Sequence, residues 1–331
     1  MSELRYDPLS GHWVNIAAIR AQRPNEFRHV ESRRPDAICP FCAGQESQTP
    51  PSILELNTST DQAKPWLVRV VPNKYPAFSP DSKLVREPVG PYTRVAGGGL
   101  QEIIIESPRH VTSMSQLTDA ELKLSFRAIQ LRIQTALENH HIRQVVVFKN
   151  CRSEAGASIE HAHSQLVGSP ILSEPLAARW QRCVDTYRET GRSLLDSIVQ
   201  FESKVGLRQI KTCGKFTAFC PYASRFAFQI WIASRSVGGP FEKLELGDLD
   251  DVGRLVRSMI DRLERTIDEP PYNCVLHLPP KLAPESSTQE MFPWFIEIIP
   301  RLGRWAGFEL ADGGWINDCP PEYAAQKLRG D

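Results

Sequence analysis

The segment His161-Ala-His163-Ser-Gln165 sets two imidazoles and an amide at alternate positions. In an extended strand alternate side chains share a face, so all three point one way and Ala162 and Ser164 the other. Two His and a Gln on one face is a costly core pattern, because every buried polar group needs a partner. The plainer alternative is a strand with incidentally placed polar residues. The chemistry this group suits is phosphoryl transfer. A histidine with an unperturbed pKa of about 6.5 is largely neutral and nucleophilic at pH 7. Attack on an α-phosphorus gives a phosphoramidate, which splits one hard transfer into two easier ones. The second ring nitrogen must then be held by an acceptor, so that the attacking nitrogen is unprotonated. We read His163 as that nucleophile, taking up a nucleoside monophosphate.

Other residues belong to the same chemistry. Gly156-Ala-Ser158 is small enough for a phosphate to approach backbone N–H groups. Cys39-Pro-Phe-Cys42 is the closely spaced Cys pair among eight Cys. It needs two more ligands for a closed tetrahedral zinc site, and His110 and His161 are the best candidates. A redox pair and plain core cysteines are the alternatives. Arg20 and Arg23 offer forked donors for phosphate, or else are solvated surface. The other six Cys read as small buried residues. His12, His29, His140, His141 and His277 read as surface or satisfied core histidines.

The elements that position these residues recur. Val68–Phe78 reads as strand and turn, and Gln101–His110 as a strand. A helix then opens with the capping box Thr118-Asp-Ala-Glu121. Its stripe is Leu122, Phe126, Ile129, Ile133 and Leu137. The apolar strand Val145–Phe148 and the histidine segment follow. In the second half Phe216–Ala223, Phe226–Ser236, a helix striped by Leu249, Val252, Leu255, Val256, Met259, Leu263 and Ile267, Tyr272–His277 and Pro293–Pro300 repeat that order. The fold class is therefore α+β, two related units with antiparallel sheets. By this alignment Ser236 stands for His110, Pro293 for His161 and Phe295 for His163, so the chemistry lies in the first half. The polar stretch from about Leu172 to Glu202 predicts a helix packed across both units.

Bulk composition excludes other classes. The 331 residues suffice for two domains. Lys plus Arg equals Asp plus Glu, 39 each, which argues against a basic nucleic-acid face and gives no help to membrane binding. No apolar stretch approaches the roughly 20 residues of a membrane span, and the N-terminus lacks a signal-peptide pattern. We expect a cytoplasmic protein with neither nucleic-acid nor membrane partners.

On these motifs the chain resembles the galactose-1-phosphate uridylyltransferase family, a duplicated branch of the histidine-triad superfamily. The match runs through Asp7–Trp13, Arg20-Ala-Gln-Arg23-Pro24, Cys39–Cys42, Pro72-Asn73-Lys-Tyr-Pro76 and Glu106-Ser-Pro-Arg-His110. It continues through Phe148-Lys-Asn150, Gly156–Ser158, His161–Gln165 and Gly307-Phe-Glu309. The resemblance implies two histidine-triad-like domains, each a half-barrel sheet with packed helices. Residues 1–170 would be the catalytic domain with the zinc site, and 171–331 a copy without the nucleophile. It implies ping-pong transfer through a His163–nucleotide intermediate, with Asn150, Ser158 and Gln165 on the phosphoryl group. It also implies Arg20, Arg23 and Asn73 on the nucleotide, Glu309 on the sugar, zinc on Cys39, Cys42, His110 and His161, and a homodimer.

The expected donor is UDP-glucose, with a hexose 1-phosphate acceptor as in galactose metabolism. The alternatives are ADP-glucose with phosphate as acceptor, and a dinucleoside-polyphosphate phosphorylase or nucleotide hydrolase. A non-catalytic nucleotide-binding protein is disfavoured by the complete His163, Gln165 and zinc set.

The departures from the pattern are specific. Lys149 and Ala162 stand where the uridylyltransferase signature has Glu and Pro. Pro293 and Phe295 replace histidines of a second metal site, and Ser193 and Asp196 fall where the plant branch has a second Cys pair, so one zinc per chain is expected. Gly303 and Trp315 fall near a sugar-contacting Lys and Gln, and Glu309 alone is retained. Phe148-Lys-Asn150, the His-x-His-Ser-Gln form and Trp294-Phe-Ile resemble the plant ADP-glucose phosphorylase branch instead.

Overall fold

A computed structural model describes residues 3–18, 38–58, 65–78, 85–95, 98–236, 239–282, 290–303, 305–312 and 314–330. Arg20, Arg23 and His29 lie outside the described residues.

In chain order the first half supplies strands Glu3–Asp7 (β1), His12–Ile16 (β2), Leu54–Leu56 (β3), Val68–Pro72 (β4), Arg86–Val89 (β5), Tyr92–Val95 (β6) and Leu100–Ile105 (β7). Helix Asp119–Glu138 (α1) follows, then strands Gln144–Cys151 (β8) and His163–Ser169 (β9). Helices Glu174–Thr190 (α2) and Leu194–Val205 (α3) lead to the second half. That half has strands Gln209–Cys213 (β10), Phe216–Phe219 (β11) and Ile230–Ser234 (β12), helix Leu246–Ile267 (α4), then strands Tyr272–His277 (β13) and Phe295–Pro300 (β14). Helix Gly307–Asp312 (α5), strand Trp315–Asn317 (β15) and helix Pro321–Arg329 (α6) close the chain.

The main sheet is antiparallel and ten-stranded, in the order β10-β11-β12-β14-β13-β8-β9-β7-β4-β3. From either edge inward the two halves give the same order, and they meet at β8 and β13, where Asn150 pairs with Asn273 and Phe148 with Val275. The fold is thus α+β around one continuous antiparallel sheet. A second sheet, β1-β2-β15, includes a parallel pairing of β15 with β2.

Alternation within each strand divides the side chains between two faces. One face carries Val70, Ile104, Val147, Leu166, Ile232, Leu276 and Ile296, which join α1 and α4 in the main core. α1 starts as its capping box requires: Glu121 N donates to Thr118 Oγ1 at 3.2 Å, and Thr118 N to Glu121 Oε2 at 2.8 Å. α1 and α4 approach closely at Gly253, where an added Cβ would lie 3.1 Å from the Phe126 ring.

On the opposite face two smaller clusters lie towards the ends of the sheet. In the first half Phe41 and Trp66 pack on Val71, Ile103 and Ile105. In the second half Leu176, Cys183, Leu195 and Val199 of α2 and α3 pack on Phe219, Trp231 and Phe295. The stretch expected as one helix across both units is therefore two helices. Gly191, with φ +69°, ends the first of them, and their apolar faces lie on the second half. Of the six remaining Cys, 151, 183, 220 and 319 are buried and 213 and 274 half-buried, all as free thiols. Among the described residues no helix is long and apolar enough to cross a membrane.

Candidate active site and metal centre

β9 starts at His163, and the β-register continues its face across the sheet. Gln165 pairs with Phe148 on β8 and with Ile103 on β7, and His163 pairs with Ile105. His163 and Gln165 therefore share the face opposite the main core with Phe148, Asn150, Asn273 and Val275. The His163 ring is buried, and burial pushes its pKa below the ordinary histidine value. Its Nδ1 lies 2.7 Å from the His161 carbonyl oxygen. A carbonyl only accepts, so Nδ1 carries the proton and Nε2 of the neutral ring keeps a lone pair. Phe41 meets this ring edge-on, with centroids 5.2 Å apart.

His161 turns to the other task. Its Nε2 donates to the Ser107 carbonyl at 2.9 Å, and its Nδ1 faces Cys39 Sγ at 3.5 Å and Cys42 Sγ at 3.7 Å. Cys42 Sγ also lies 3.5 Å from His110 Nδ1. The four ligand atoms lie within 4.8 Å of one another. Tetrahedral zinc, with its usual bond lengths, separates sulfur and nitrogen ligands by about 3.6 Å. The cluster therefore fits a metal ion of that kind. The hydrogen bond to Ser107 orients the His161 ring as metal-bound histidines require. Burial pushes the His161 pKa down to about 4, so the ring is a neutral ligand. Burial and the neighbouring Cys39 push the Cys42 thiol up to about 11, and a bound cation is what lets such a pair ionise. Ser107 is held in turn: its Oγ donates to Glu121 Oε1 at 2.7 Å, and Arg109 Nε donates to the same carboxylate at 3.1 Å.

Next to β9 the same face of the sheet deepens into a cleft of about 500 Å³. Phe148, Asn150, Asn273, Val275 and Ile299 line it together with Arg225, Phe226, Arg301, Trp305, Glu309 and Trp315. Asn150 Oδ1 accepts from Asn273 Nδ2 at 2.8 Å, and that same donor reaches the Ala155 carbonyl at 2.7 Å. Gly156, with φ +91°, turns the chain back over Asn150. Gln165 Oε1 accepts from Gln101 Nε2 at 3.3 Å.

The remaining expected residues are spread around this centre. Asn73 directly follows β4, and its Oδ1 accepts from Tyr75 N at 2.9 Å. Ser158 is exposed in the turn before β9. Glu309 sits on α5 at the cleft, its Oε2 accepting from Ala306 N at 2.9 Å. Sequence reasoning missed Phe41 as a neighbour of His163, and also Asn273, Arg225 and Arg301. Phe41 was visible inside the Cys-x-x-Cys motif, but the other three carry no motif. His277 is a satisfied core histidine: Nε2 faces Glu297 Oε2 at 2.9 Å and Nδ1 faces Arg179 Nη1 at 3.0 Å.

Comparison with known proteins extends this picture. The family model described as galactose-1-phosphate uridyl transferase, N-terminal domain, matches residues 1–173. The chain is 30% identical over 332 residues to an ADP-glucose phosphorylase of Arabidopsis thaliana, covering 99% of this chain and 92% of that one. It is 24% identical over 339 residues to a galactose-1-phosphate uridylyltransferase of Thermotoga maritima, covering 99% and 98%. The crystal structure of the Arabidopsis thaliana ADP-glucose phosphorylase with bound ADP-glucose matches with a TM-score of 0.85 at 29% identity, over 100% of this chain and 99% of that one.

Proposed function

The chain belongs to the galactose-1-phosphate uridylyltransferase family, and from that premise we propose that it moves a nucleoside monophosphate from a nucleotide sugar to a phosphorylated acceptor through His163. The observation that carries the reading is the His163 tautomer fixed by the His161 carbonyl. His163 Nε2 attacks the α-phosphorus. A P–N bond forms, the P–O bond to the β-phosphate breaks, and a sugar 1-phosphate leaves with that electron pair. An acceptor phosphate oxygen then attacks the same phosphorus, and the P–N electron pair returns to Nε2. Nδ1–H stays on the His161 carbonyl throughout. Asn150, Ser158 and Gln165 are assigned to the phosphoryl oxygens. Arg20, Arg23 and Asn73 are assigned to the nucleotide, and Glu309 in the cleft to the sugar. A zinc ion on Cys39, Cys42, His110 and His161 would close a structural site that ties the 38–42 loop to the strand of the nucleophile.

The greater identity to an ADP-glucose phosphorylase than to a uridylyltransferase favours ADP-glucose as donor and phosphate as acceptor. UDP-glucose with a hexose 1-phosphate is the second reading. Residues 1–170 serve as the catalytic unit and 171–331 as its support, in a cytoplasmic homodimer.

The test is incubation with each nucleotide sugar separately, without acceptor, followed by intact mass measurement. We expect an adenylyl or uridylyl adduct that vanishes in His163→Ala. No adduct from either donor would overturn the proposal.

A further inference from the structure

Lys149, where the sequence departs from the uridylyltransferase signature, lies on the core face of β8, opposite to the His163 ring. Its Nζ is 2.6 Å from Glu106 Oε2 and 3.1 Å from the carbonyl oxygen of His163. The other carboxylate oxygen of Glu106 accepts from Ser164 Oγ at 2.5 Å. Glu106 N also donates to the Ala162 carbonyl at 3.2 Å. Glu106 directly follows β7, Lys149 is in β8, and β9 runs between those two strands. The ammonium and the carboxylate therefore meet beneath β9, coming from its two flanks. The charged groups hold His163 and Ser164, and the Glu106 backbone amide holds Ala162. The exposure of the two side chains is 2% and 0%.

A buried ion pair is weak evidence for stability, since well-packed apolar residues of similar volume often do as well. What an apolar pair would lack is a donor for the His163 carbonyl and an acceptor for Ser164. The His163 ring is itself held by the backbone of His161, so a small movement of this main chain moves Nε2 relative to phosphorus. We propose that Lys149 and Glu106 are positioning residues for nucleotidyl transfer, a clamp that fixes the backbone carrying His163. The inference rests on the transfer reading above.

The experiment is a single-turnover measurement of adduct formation, with separate measurement of nucleotide-sugar affinity and melting temperature. It compares wild type, Lys149→Met/Glu106→Gln, and Ser164→Ala, which keeps both charges. The double variant leaves no lone buried charge. We expect it to fold and bind donor within about twofold of wild type, while adduct formation slows on the order of 10- to 100-fold, as for a nucleophile displaced by a fraction of an ångström. Ser164→Ala should slow the same step by a smaller factor at unchanged affinity. A double variant with the wild-type adduct rate overturns the clamp, and so does a loss of affinity in proportion to rate. If the double variant does not fold, Ser164→Ala decides, and an unchanged rate there overturns the clamp. A wild type without adduct overturns the transfer reading and the clamp's role with it. A wild-type adduct with unaffected variants overturns the clamp alone.

Discussion

The Nδ1 atom of His163 lies 2.7 Å from the carbonyl oxygen of His161, two residues before it and just ahead of β9. The backbone itself thus selects the tautomer, and no side-chain acid or base is needed to expose Nε2. Burial lowers the pKa of this ring. A lowered pKa means the proton binds only at more acidic pH than about 6.5, the ordinary midpoint. The acid-side midpoint of the single-turnover rate should therefore fall below pH 6.5, and the nucleotide should be attached at Nε2. Phosphorus–nitrogen coupling in the trapped adduct reads the attachment site. A rate that halves near pH 6.5 would contradict the burial argument.

Glu121 links helix α1, through Ser107, to the cluster of Cys39, Cys42, His110 and His161. Burial opposes its ionisation, but hydrogen bonds from Arg109, Thr118 and Ser107 prevail and hold its pKa at about 2 against an ordinary 4.5. A depressed carboxyl stabilises the fold above its unfolded pKa, and that contribution is lost as pH falls from about 4.5 towards 2. The shift corresponds to roughly 3 kcal/mol. Glu121→Gln should lower stability by about that much at pH 7 and flatten the acid limb of a urea-unfolding series between pH 5 and 3.

Asn273 reaches Asn150 across the seam of the two halves. If Asn150 contacts the phosphoryl group, its orientation depends on a residue from the other half. Asn273→Ala should slow transfer about tenfold, the equivalent of 1.4 kcal/mol, with a smaller change in folding stability. Steady-state kcat and KM, measured beside a thermal melt, separate the two effects.

Phe41 couples the Cys39–Cys42 loop to His161 and His163 through its ring contacts with both. Metal analysis should find about one zinc per chain. Cys42→Ala should lose that zinc, open the 38–50 region to limited proteolysis, and slow adduct formation although no metal ligand touches phosphorus. Two zinc ions per chain would contradict the assignment of the second half.

Much of the site was legible because its signals are local. A period of two put His163 and Gln165 on one face, while His161 falls just ahead of β9 and faces the cysteines, and Thr118 with Glu121 announced the start of α1. Cys39-x-x-Cys42 called for two partners, and the fold supplies His110 and His161. What escaped depends on pairings between distant residues. The parallel contact of β15 with β2 joins Asn317 to Ile16, and no periodicity reports such a register. Glu106 and Lys149 are 43 residues apart, and each alone reads as an ordinary charge in an apolar strand. The 172–202 stretch looked like one helix because its amphipathic pattern continues past Gly191, whose positive φ breaks it.

The pairing of β8 with β13 has a consequence for how the chain must be inherited and made. Each strand is the inner boundary of its own half, and each would be an unpaired edge if the halves were separated. Six backbone positions of β13 would then be bare, beside a matching row on β8. Exposed rows of this kind recruit whatever strand is available. A gene fragment encoding either half alone therefore yields a self-adhesive product, whereas two fragments made together hold complementary edges for each other. The second half supplies the edge that β8 needs, so neither half can be discarded.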